Sequence, residues 1–253
     1  MVIVAQIILE YFNTLNIDMK HGHYADDDLP KFDPVDGYKT NSYGYRCPEF
    51  RPLPDGGKNV VVLGCSHTFG EGLEDNEIWI NQVAKKSNKL LRWWNLARPG
   101  ASADQMVRIL YGTEKIIFPK VIVACWPVWS RRERLDQSPQ SLTSDNESLK
   151  TENNHTDQNN FLKNIFFLEK FAEKVGAKTF HCFAQEAYDI YMEDTLAVLK
   201  NYTISNCWPE WDKHKKRELH SKPSLAKDGI HYGVEHHEVF ARLFLQRFNT
   251  KLR

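Results

Sequence analysis

The sequence predicts a three-layer α/β/α sandwich built on a mainly parallel central sheet. Three observations carry that expectation. Short apolar runs, VVVL at 60–63 and VIVA at 121–124, are bounded by turn residues and show no polar alternation. That is the pattern of strands buried on both faces. Segments with apolar residues at helical spacing lie between such runs, and the two patterns alternate along the chain, as in parallel strands joined by crossover helices.

The first 58 residues are expected to be an irregular lead-in packing on the domain. The opening MVIVAQIILEYF is apolar, but Glu10 interrupts it and the first lysine is Lys20. It therefore reads as a docking helix or strand rather than a signal peptide or membrane span. The following stretch is dense in Gly, Pro, Asp and Tyr and reads as extended chain with turns.

Residues 59–253 form the α/β domain. After the 60–63 strand, NEIWINQVAKKSN places Ile78, Val83 and Ala84 as helical apolar positions, and LLRWWNLA reads as a second strand. SADQMVRILYGTEKII is a helix with Ser102 as N-cap, and KVIVACW a third strand. Between about 136 and 160 only Leu142 and Leu149 are large and apolar, so this stretch is expected to be a polar surface insertion. FLKNIFFLEKFAEKVGA is a helix stopped at Gly176, and KTFHCFA a fourth strand. The final GVEHHEVFARLFLQRFNTKL is amphipathic, with Val239, Phe240, Leu243, Phe244 and Phe248 on one face.

The totals exclude some function classes. The 253 residues carry 33 Lys plus Arg and 33 Asp plus Glu, a net charge of zero, so nothing predicts a nucleic-acid partner. The 5 cysteines are dispersed without a C-x-x-C pair, which favours free thiols in a reducing, cytoplasmic compartment.

In α/β sandwiches, sites lie at the carboxyl ends of the strands. Ser66 follows such an end, in a strand-Gly-x-Ser turn whose backbone N–H groups can face a developing oxyanion. A serine needs a general base. Asp228 and His231, three apart in DGIHYG, supply one: in a turn the carboxylate reaches the imidazole, fixes its tautomer and leaves the other nitrogen for Ser66. Cys65 is read as a bystander thiol, since its position next to Ser66 at a strand end turns its side chain away from that hydroxyl. His236 and His237 point about 100° apart on a helix and do not share an ion, so one is expected at the site mouth and the other in solvent. No metal and no cofactor are expected. Trp126, Trp129 and Arg131, in WPVWSRRER, are candidates for holding substrate, the rings by stacking on a sugar and the guanidinium by pairing with an anion.

The motifs together resemble the SGNH, or GDSL-like, hydrolases, a family with a flavodoxin-like fold that acts on esters and O-acyl groups. VVVLGCSHTFGEGL is similar to the first block, with Cys65 where the family usually has aspartate. NLARPGAS is similar to the second, and DGIHYGVEHH to the last. NSYGYR resembles a segment that precedes the first block in bacterial and phage members. The resemblance runs from about residue 41 to the C-terminus. It implies Ser66 as nucleophile, His231 as base, Asp228 as its orienter, and the N–H groups of Ser66 and Gly100 as oxyanion donors. The third block, whose asparagine is a further oxyanion donor, has no counterpart in VIVACWPVWSRRER. Trp126, Ser130 and Arg131 each offer a replacement donor there, and the residues leave that choice open.

The expected activity is therefore a serine esterase removing an acyl group from an ester, with an O-acylated carbohydrate as the leading substrate. One alternative is an O-acyltransferase using the same triad. The other is a non-catalytic carbohydrate-binding or virion-associated protein that retains the fold.

Overall fold

A computed structural model describes residues 29–53, 55–129, 131–133, 141–142, 154–183, 204–205 and 224–252. Strands β1 (Lys58–Gly64), β2 (Leu91–Asn95), β3 (Pro119–Trp126), β6 (Lys178–Phe183) and β7 (Ile204–Ser205) form one sheet in the order β2-β1-β3-β6-β7. Every pairing in it is parallel. Short β4 (Arg132–Glu133) and β5 (Ser141–Leu142) make a separate antiparallel pair. The helices are α1 (Ser66–Phe69), α2 (Trp79–Lys86), α3 (Ala103–Gly112), α4 (Asn154–Val175) and α5 (Val234–Leu252).

Both faces of the sheet are covered, which explains the unbroken apolar runs. Val61, Leu63, Ile122 and Ala124 point to a core shared with α3 and α4. Val60, Val62, Val121 and Val123 point to the opposite core, under α2 and α5. There Trp79 meets Phe240 edge-on, and Phe248 closes against Trp93 and Phe180. The expected sandwich is the one observed. Ser102 caps α3, accepting from the Gln105 N–H at 3.2 Å.

One expectation is corrected. The polar stretch does not run to 160, because α4 begins at Asn154. Its first turns are tied down by polar bonds on either side of the buried Phe161. Asp104 accepts from the side-chain amides of Asn160 and Asn164 at 3.1 and 2.9 Å, and Asp157 pairs with Arg132 on β4. Counting apolar residues misses such a helix. Residues 1–28, including the apolar start, lie outside the described residues.

Candidate active site

β1 delivers Ser66. Its last residue, Gly64, is packed so closely that an added Cβ would stand 2.4 Å from Thr68 Oγ1. Cys65 is the extended N-cap residue, and Ser66 opens the single-turn α1. Gly70 ends that turn in the left-handed region, its N–H donating to the Ser66 carbonyl at 2.9 Å. The carbonyls leaving the turn are taken by Arg46. Its Nη1 donates to Gly70 O at 2.7 Å, its Nη2 to Leu73 O at 2.7 Å, and its Nε to Asp75 Oδ1 at 2.8 Å. Arg46 is buried, with its guanidinium over the Tyr38 ring. Asn41 shapes the segment that carries it, accepting the N–H groups of Tyr43 and Tyr45 on Oδ1. The NSYGYR segment thus braces the turn behind Ser66.

The neighbouring strand supplies the second loop. Past β2, the Leu96 N–H donates to Val62 O at 2.9 Å and the Arg98 N–H to Gly64 O at 3.1 Å, so this chain runs beside the Ser66 turn. Asn95, missed as a site residue in the sequence, ties the two together. Its Nδ2 donates to Thr68 O at 3.1 Å, and its Oδ1 accepts the Ala97 N–H at 3.2 Å. Gly100 follows with φ at 70°. Among the described residues, the backbone N–H groups of Ser66 and Gly100 donate to no carbonyl.

The Asp228–His231 loop folds on itself. Asp228 Oδ1 accepts the N–H groups of Ile230 and His231 at 2.9 and 3.0 Å, and Oδ2 meets His231 Nδ1 at 2.6 Å. Desolvation pushes the Asp228 carboxyl upward, but those N–H groups and the ring outweigh it and hold it at about 2. The carboxylate therefore accepts an Nδ1 proton, leaving Nε2 free to accept another. His231 Nε2 faces Glu71 Oε2 at 3.6 Å.

The loop docks on the Ser66 turn. Gly72 has φ at 76°, and a Cβ there would lie 2.6 Å from Ala226 Cβ and 3.0 Å from Asp228 Cγ. The Lys227 N–H donates to Gly72 O at 3.1 Å. His67, next to Ser66, sets its ring edge-on to His231 at 5.1 Å and stacks on Tyr232, which stacks on His236. Burial, then repulsion by His231 and Arg131, pushes His67 down to about 4, so the ring is neutral at pH 7. His67 and Glu71 lie within the first block, yet their spacing from His231 is a tertiary distance that the sequence does not display.

Other candidates fall differently. Trp126 is fully buried at the end of β3, and its Nε1 donates to His181 Nδ1 at 2.8 Å. It is a core residue, and the sugar-stacking expectation for it is corrected. Trp129 packs partly buried against the same core. Arg131 is half-buried, with a buried Nη1 that meets no protein acceptor. Ser130 lies outside the described residues. The division of His236 and His237 between site mouth and solvent is also corrected: both are buried. His237 Nδ1 accepts the Trp79 N–H at 3.1 Å, and burial pushes this ring down to about 3. Cys65 is a buried free thiol. Among the described residues no group of three or more His, Cys, Asp or Glu is placed to hold a metal ion. No described helix is long and apolar enough to cross a membrane.

Solved structures share this arrangement of sheet and helices. A member of the lipolytic G-D-S-L family from Veillonella parvula superposes with a TM-score of 0.54 at 11% identity, over 76% of this chain and 98% of that one. The fold is that of the SGNH, or G-D-S-L, hydrolases. A psychrotrophic esterase from Pseudoalteromonas gives 0.52 at 12% identity, covering 77% of this chain and 98% of its own. An acetylxylan esterase from Geobacillus stearothermophilus gives 0.50 at 13% identity, covering 76% and 94%. No family profile and no curated protein matches the sequence.

Proposed function

We propose that the protein is an SGNH-type serine esterase that removes an acyl group from an O-acylated carbohydrate or a small acyl ester. The observation that carries the reading is the Asp228–His231 pair, closed at 2.6 Å and docked through Gly72 and His67 on the turn that opens with Ser66. Ser66 Oγ attacks the ester carbonyl carbon as its proton passes to His231 Nε2, and the carbonyl π pair moves onto oxygen. Asp228 stabilises the imidazolium that forms. Collapse of the tetrahedral species expels the alcohol, which takes the proton from His231 and leaves an acyl-Ser66. Water, deprotonated by His231, then releases the acid. The unengaged N–H groups of Ser66 and Gly100 are suited to face the oxyanion. The acetylxylan esterase among the similar structures supports a sugar ester as substrate. The free thiols at Cys47, Cys65 and Cys125 support a reducing, cytoplasmic setting.

The test is hydrolysis of p-nitrophenyl acetate, together with labelling by a fluorophosphonate. Labelling that is lost in Ser66→Ala and falls in His231→Ala is the expected result. Absence of both labelling and hydrolysis between pH 6 and 9 overturns the reading, as does activity that survives Ser66→Ala but is lost in Cys65→Ala.

A further inference from the structure

The arginines around the site are engaged, with one exception. Arg46 is spent on carbonyls and Asp75, and Arg98 on Gly44 O and Asp33 O. Arg108 pairs with Glu133 and Arg132 with Asp157. Arg131 differs: its Nη1 is buried without a protein acceptor and no described carboxylate pairs with its guanidinium, whereas Arg132, whose Nη2 is likewise buried without an acceptor, is held by Asp157. A buried charged donor without an acceptor is expensive, and in native structures such a group points to a ligand role.

The topology says where that donor stands. β3 lies beside β1, with Cys125 in register with Gly64, so the chain leaving β3 emerges next to the chain that carries Ser66. Arg131 follows in a tight turn, its N–H donating to Val128 O at 3.2 Å. On the opposite flank of β1, the chain leaving β2 carries Gly100. The chain leaving β1 with Ser66 is thus flanked by the segment that carries Gly100 on one side and the segment that carries Arg131 on the other. Trp126, the other N–H side chain at the end of β3, is spent on His181. The repulsion that Arg131 exerts on His67 is consistent with this placement.

We infer that Arg131 is a catalytic residue of the proposed esterase, its guanidinium donating to the oxyanion of the tetrahedral species beside the Ser66 and Gly100 N–H groups. The inference rests on the serine-esterase reading. Charge that appears only as the carbonyl oxygen becomes an oxyanion gives a cationic donor its leverage on kcat rather than on KM. The guanidinium, planar and always charged, keeps this role across the working pH range.

The experiment is steady-state hydrolysis of p-nitrophenyl acetate by Arg131→Ala, Arg131→Lys and Ser66→Ala, with circular dichroism confirming the fold of each. Arg131→Ala is expected to lower kcat roughly 100- to 1000-fold, as removal of one oxyanion donor does, with KM within about 3-fold of the starting protein. Added guanidinium or methylguanidine is expected to restore part of that loss, which repair of a purely structural arginine would not do. Arg131→Lys, which keeps the charge and most of the stem, is expected to fall between; it carries the test if the alanine variant does not fold. A kcat within about 3-fold of the starting protein in Arg131→Ala while Ser66→Ala is inactive overturns the Arg131 assignment alone. A raised KM at unchanged kcat overturns it too, since that is ground-state binding. Activity retained in Ser66→Ala overturns the esterase reading and this inference with it.

Discussion

The two halves of the candidate site are held in different ways. The Ser66 turn is fixed from outside. Gly64 is pressed against Thr68, Arg46 takes the carbonyls behind the turn, and Asn95 clamps it to the next loop. All of these partners are buried. The Asp228–His231 loop is fixed from inside, by a carboxylate that accepts two N–H groups and the ring while remaining near solvent. In the proposed esterase, a nucleophile placed by the core is insensitive to local motion, and a base on a self-closed turn can reorient as protons move. The contrast predicts that loop substitutions change rate more than stability, and that turn substitutions change both.

The largest expected effect is in the loop. Asp228→Asn keeps the shape but removes the acceptor that fixes the His231 tautomer, and kcat is expected to fall by roughly 10⁴-fold with little change in melting temperature. Equal losses of rate and stability would break the comparison.

Next comes acid. His67 and His237 are held down to about 4 and about 3, so the fold accepts them neutral. Below pH 6.5 the unfolded chain binds protons that the folded chain refuses. Their contribution is therefore complete above that pH and is lost as pH falls toward 4 and 3, by about 1.4 kcal/mol per pH unit for each ring. Asp228 acts in the same direction at lower pH, its contribution present above its ordinary value and lost as pH falls through about 2. Urea unfolding between pH 7 and 4 measures the slope. His237→Asn, which keeps an acceptor for Trp79 without titrating, is expected to flatten it. An unchanged slope would remove His237 as a cause.

On the turn side, Gly64→Ala forces a methyl against Thr68 and is expected to cost about 1–3 kcal/mol in denaturant unfolding while also lowering kcat. Asn95→Ala is expected to cost about 1 kcal/mol, having opened two bonds, with a kcat loss and unchanged KM. A stability loss without any rate change in both variants would show that the turn does not position Ser66.

The alternation of buried strands and amphipathic helices was legible because it is set by which faces meet a core, a property written in residue period. The Asp228–His231 contact was legible because it closes within one turn of chain. Trp126 was misread because position along a strand does not say which face is covered by a partner such as His181. The start of α4 at Asn154 escaped because Asn160 and Asn164 are held by Asp104 through hydrogen bonds, which no apolar periodicity records.

What the sequence by itself determined is therefore local: the sheet with its helices, the turn that presents Ser66, and the dyad of Asp228 and His231. What only the tertiary structure decided is distance between segments far apart in the chain. It brought Glu71 and His67 to His231, spent Arg46 and Asn95 on bracing, and left Arg131 with a buried, unshared donor. Periodicity and turn chemistry act between near neighbours, whereas a site is assembled by packing strands whose order, β2-β1-β3, no local rule states.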